Sequence, residues 1–130
     1  MWTLNVNEEK KLLVLNLSGN LTLDELSEFL KEIYDKNDGK YATYNRFTDL
    51  SALKEIKIDF DTFSSCVHEC RSKITPDTPV KISLFIPENY IGGFAHLYKS
   101  MLSDNPFSIE ILETLDECAK YLSVDKRLLA

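Results

Sequence analysis

The sequence predicts an α/β fold of order ββαβαβαβα, with a five-stranded, mostly parallel sheet whose first strand is antiparallel. Three observations predict it. Apolar or alternating stretches of strand length take turns along the chain with stretches of helical period. Two identical tetrads, Thr22-Leu23-Asp24-Glu25 and Thr114-Leu115-Asp116-Glu117, each stand where an apolar helical stripe begins. Repeated strand–helix–strand units call for parallel neighbours joined by right-handed crossovers.

Trp2, Leu4 and Val6 alternate with Thr3, Asn5 and Asn7, the pattern of a half-buried strand. Glu8, Glu9 and Lys10 are polar and few, so they turn a hairpin into residues 12–17, and Ser18-Gly19-Asn20 is expected to break that second strand. Thr22 suits a helix N-cap, with Glu25 reaching back and Leu21 stapled to Leu26. Leu26, Leu30, Ile33 and Tyr34 then form one stripe, ending near Lys36. Residues 41–50 read as an unusually polar third strand carrying Asn45, Arg46 and Asp49, followed by a connector over residues 51–57.

A second helix starts at Asp59 or Asp61 and turns Phe60, Phe63, Val67, Cys70 and Ile74 inward, until Thr75-Pro76-Asp77-Thr78-Pro79 stops it. Val80, Ile82, Leu84 and Ile86 face one way, with Lys81, Ser83 and Phe85 facing the other. After the break at Pro87, Gly92-Gly93 opens a third helix burying Phe94, Leu97 or Tyr98, and Met101. Asp104-Asn105-Pro106 turns into a fifth strand, where Phe107, Ile109 and Ile111 alternate with polar residues. The last helix turns Cys118, Ala119 and Leu122 inward and runs out near Val124. Parallel strands covered on both faces are nearly continuously apolar. Here the first, fourth and fifth alternate, so the helices are expected mainly on one face, leaving Val14, Phe47 and Phe85 on a partly open reverse.

The chain of 130 residues is expected to form one domain, 1–130, large enough for a core without disulfides or metal. A net charge of −6 disfavours nucleic acid as a partner. No apolar run approaches the roughly 20 residues of a membrane span, and residues 1–11 do not resemble a secretion signal. With three cysteines in an odd set, the expectation is a cytoplasmic protein.

Few residues carry a chemical signature. Cys66 and Cys70 share a helix face, but His68 points roughly 200° away from Cys66, so the trio does not make a metal site. His96 lacks a placed nucleophile, and the carboxylates Asp24, Glu25, Asp116 and Glu117 are explained by capping. No catalytic residue, metal ligand or cofactor is expected. Two adjacent glycines at a helix start cost roughly 1 kcal/mol each against alanine, which points to close packing or to room for a ligand. Ligands of open α/β sheets favour the carboxyl ends of strands, so Asn89, Tyr90 and Gly92 are candidate ligand contacts, together with Phe94 and Tyr98.

The element order, with Leu17-Ser18-Gly19-Asn20-Leu21, Asp49-Leu50-Ser51, and Ile109-Glu110-Ile111-Leu112 leading into the last helix, resembles the STAS domain of anti-sigma-factor antagonists and the stage-II-sporulation-AA-like proteins. The resemblance covers nearly the whole chain. It implies a βα superhelix and a non-enzymatic regulatory module that acts by binding another protein through Asp49, Ser51, Asp59, Phe60, Asp61 and Thr62. The antagonists carry a phosphorylatable serine followed by glycine at the entry to the second helix. This chain has Phe60 at that place and no glycine after it, so the usual phosphoserine switch is not expected. Asp59 or Asp61 would put a fixed charge there instead, or simply cap the helix. Self-association as a homodimer, through the open face around Phe85 or an edge strand, is a further expectation. Lipid-carrying relatives of the same superhelix imply an alternative: a carrier of a small nonpolar ligand lined by Phe60, Phe63, Phe94, Tyr98 and Met101.

Overall fold

The computed structural model describes residues 1–73, 76–87, 92–102 and 106–129. Five strands form one sheet of order β1-β2-β3-β4-β5: β1 Trp2–Asn7, β2 Leu12–Leu21, β3 Asn45–Ile56, β4 Val80–Phe85 and β5 Phe107–Leu112. β1 pairs antiparallel with β2, and the other neighbours are parallel. The helices are α1 Leu23–Tyr34, α2 Phe60–Arg71, α3 Gly92–Leu102 and α4 Leu115–Leu122. This is the predicted α/β order, with helices interleaved. Ile74, Thr75, Asp104 and Asn105, for which the sequence sets expectations, lie outside the described residues.

The predicted caps form. Thr22 accepts from the Glu25 backbone N–H at 3.3 Å and Thr114 from that of Glu117 at 3.1 Å, so each tetrad satisfies an orphan donor of its helix. Leu21 and Leu26 are both buried, as a staple requires. Asp59 caps α2, accepting from the Thr62 N–H at 2.8 Å and its hydroxyl at 3.0 Å. Those two bonds hold the Asp59 carboxyl below its ordinary pKa.

Two strand boundaries differ from expectation. Ser18-Gly19-Asn20 does not end β2. Gly19 takes φ +70°, and register shifts on either side of it let the strand continue to Leu21. Residues 51–57 are no connector, because β3 pairs Ala52, Leu53, Glu55 and Ile56 with Ser18, Gly19, Asn20 and Leu21. β4 meets β3 only from Arg46 to Asp49, so the ends of β2 and β3 extend as a two-stranded arm beyond it. Conversely, residues 41–44 are not strand. A 3₁₀ segment, Lys36–Thr43, occupies that place, with a left-handed run at Asn37, Asp38 and Gly39 inside it. The Tyr44 hydroxyl donates to Glu8 at 2.7 Å, and β3 begins only at Asn45, whose N–H reaches the Lys11 carbonyl.

One core packs α1, α2 and α3 on a single face, around Leu13, Leu15, Leu17, Leu50, Ile82 and Leu84. Right-handed crossovers that all advance the sheet one way put their helices on one side. α4 follows the last strand, is bound by no crossover, and packs on the other side. There Cys118, Ala119 and Leu122 meet Leu12, Val14 and Phe47, with Phe85 packed against them. The reverse is therefore not bare. Phe47 is 0% exposed and its ring lies 6.0 Å from that of Phe85, which stays half-buried, so α4 covers part of the apolar surface expected on this face. Phe60 is a second correction. It is 53% exposed rather than turned into the core.

Candidate functional site

Strand alternation sorts β3 into two sets. Arg46, Thr48 and Leu50 point toward α1–α3, while Phe47 lies against α4. An arginine is thus carried into the main core, where it is 1% exposed. Its Nη1 donates to the Tyr98 hydroxyl of α3 at 3.0 Å, and its Nη2 to the Tyr34 hydroxyl of α1 at 3.4 Å. The guanidinium carbon also lies 5.8 Å from the Tyr34 ring centroid. Nε, equally buried, has no hydrogen-bond partner. Among the described residues no carboxylate neutralises the charge.

Burial opposes the charge on Arg46, yet the oxygens of Tyr98 and Tyr34 outweigh it and raise the guanidinium pKa above its ordinary value. Burial pushes the Tyr98 hydroxyl up to about 12, against the pull of Arg46, so Tyr98 stays neutral. Each hydroxyl already accepts from the guanidinium, and each retains a hydrogen of its own to donate. Arg46 Nε and the Tyr98 hydroxyl are therefore donors at a cavity wall that, among the described residues, holds no charged acceptor.

Arg46 and Tyr98, but not Tyr34, line a cavity of about 60 Å³ between the sheet and α1–α3. Apart from Arg46, Thr48 and Tyr98, its walls are hydrocarbon, including Leu15, Leu30, Leu53, Phe63 and Phe94. Ile56 and Phe94 are only half-buried and mark where it approaches the surface. From there an aromatic series runs inward. The Phe60 and Phe94 centroids are 4.5 Å apart, Phe94 and Phe63 are 5.3 Å apart, and Phe63 and Tyr98 are 6.4 Å apart. A second, wider hollow of about 250 Å³ lies by Ile86, His96, Lys99, Ile111 and Glu113, with His96 and Glu113 exposed.

Of the expected ligand contacts, Phe94 and Tyr98 line the cavity. Gly92 begins α3, and Asn89 and Tyr90 lie outside the described residues. A Cβ at the neighbouring Gly93 would stand 3.7 Å from Phe60 Cζ, an ordinary contact, so tight packing onto the sheet does not explain that glycine. The expected partner contacts fall into two groups. Asp49 accepts from the Ser51 N–H at 2.9 Å and its hydroxyl at 2.6 Å, at the end of the β3–β4 pairing. Asp59 and Thr62 are joined at the α2 cap, flanked by exposed Phe60 and Asp61. Asp49 alternates onto the α4 side, opposite the face on which α2 packs.

Arg46, Tyr34 and Thr48 were not singled out from the sequence. Their signal was the polar character of residues 45–49 combined with strand period: if Leu50 faces the core, so must Thr48 and Arg46. Cys70 and Cys118 are buried, with thiol pKa values raised by burial. Both His68 and His96 are exposed. Among the described residues no three His, Cys, Asp or Glu side chains gather closely enough to hold a metal, and no helix is long and apolar enough to cross a membrane. Comparison with known protein families and with curated proteins returned no match.

Proposed function

We propose that this protein is a non-enzymatic, cytoplasmic binding module of STAS-like build that carries a small nonpolar guest between its helices and its sheet. The supporting observation is the hydrocarbon-walled cavity under α1–α3, with Phe94 and Tyr98 in its lining. Apolar walls with a few convergent polar groups are the usual make-up of a small-molecule site. Native mass spectrometry of protein purified from its host should show a lipid-like adduct that disappears on denaturation. Nonpolar probes should also shift the NMR signals of Leu15, Leu30 and Leu53. A clean apo mass together with no response from those methyl groups would remove the carrier reading.

A second reading, a regulatory module docking another protein at the entry to α2, is favoured by one observation. Phe60 is a large apolar side chain left 53% exposed between two carboxylates. Photocross-linking from position 60 in cells should then give one predominant adduct that Asp61→Lys abolishes. A diffuse set of adducts, indifferent to that charge reversal, would count against it.

A further inference from the structure

We infer that the guest is an amphipathic carboxylate, whose head is held by Arg46 and Tyr98 and whose apolar tail runs along the cavity toward Phe94. This rests on the carrier reading and specifies its ligand. A buried guanidinium in hydrocarbon surroundings is costly unless it is paired and fully hydrogen-bonded. Here the partners are two neutral hydroxyls, one of them at 3.4 Å, and Nε has none.

The missing element is an acceptor with negative charge. Arginine presents its N–H groups as a planar fork, and the edge formed by Nε and one Nη matches the two oxygens of a carboxylate. Nε is vacant and the Tyr34 bond on Nη2 is the longer of the two, so that edge can turn to a ligand at little loss. The Tyr98 hydroxyl, in the lining, still has a hydrogen to donate. The charge and the donors thus suit one anion, and the walls suit its tail. The cavity of about 60 Å³ encloses only the head and the first carbons, so most of a medium-length tail runs out past its walls. The half-buried Phe94, stacked on exposed Phe60, offers apolar cover where a longer tail would emerge.

Calorimetric titration with octanoate and with 1-octanol, which share a tail and differ in the head, tests this. The unmodified protein should bind octanoate about 10- to 100-fold more tightly, as hydrogen bonds to a charged group imply. Arg46→Met should abolish that preference while leaving octanol binding in place, and Arg46→Lys should retain part of it. If Arg46→Met does not fold, the Arg46 Nε–H resonance of the unmodified protein decides the matter. It should move on adding octanoate and stay still with octanol. Equal affinity for the two ligands would overturn the carboxylate assignment and leave the carrier reading standing. Binding of neither would overturn both.

Discussion

Phe47→Ala is expected to lower the free energy of unfolding by about 3–5 kcal/mol, the range for deleting a fully buried aromatic ring. Phe47 belongs to the smaller core, where the sheet's second face meets α4. Its ring is wholly enclosed and stacked on Phe85, so truncation opens a cavity that the rigid strand cannot close. Urea unfolding should show a lower midpoint with an unchanged slope. Phe47→Leu should cost much less, since most of the volume is kept. A loss under about 1 kcal/mol for the alanine variant would mean that α4 is not seated on this face.

Replacing both Tyr34 and Tyr98 by phenylalanine should cost a comparable amount, about 3–5 kcal/mol, because it strips a buried charge of its hydrogen-bond acceptors. Adding Arg46→Met to that pair should restore stability to the starting value or above it, since the triple variant buries no charge and no unmatched hydroxyl. Such a reversal, with the third change rescuing the first two, is the signature of one coupled cluster. Strictly additive losses across the three substitutions would refute the coupling.

The same cluster carries a pH dependence. Tyr98 titrates near 12 in the folded protein, above the value of about 10 for a free tyrosine. The folded state therefore holds a proton that the unfolded chain gives up first. Its contribution is complete below pH 10, declines between about 10 and about 12, and is gone above. Denaturation followed across that interval should show a fall in stability that is reduced in Tyr98→Phe.

Elements with local causes were legible. Capping at Thr22, Asp59 and Thr114, the stripe Leu26–Leu30–Ile33, and the alternation of β4 all depend on residues within a few positions of one another. Where pairing is non-local, reading failed. Ser18-Gly19-Asn20 has the composition of a turn, and only its partner, the far end of β3, keeps it in the sheet. Helical spacing turns Phe60 inward, yet as the first residue of α2 it rests on the half-buried Phe94 at the surface and stays exposed. Of the candidate cavity, the aromatic members Phe94 and Tyr98 were foreseeable. Arg46 stands out in the sequence as a polar residue of β3, and only strand period relative to Leu50 places it in the core.

By itself, then, the sequence determined the order of the elements, the parallel run of β2 to β5, and the common face of α1, α2 and α3. Local hydrogen bonds and the handedness of crossovers leave little freedom in those matters. Only the tertiary structure decided the placement of α4, which no crossover constrains, and the meeting of Arg46 with Tyr34 and Tyr98. Those three residues belong to separate elements, and packing alone brings a strand's buried charge beneath two helices and leaves one of its donors without a partner.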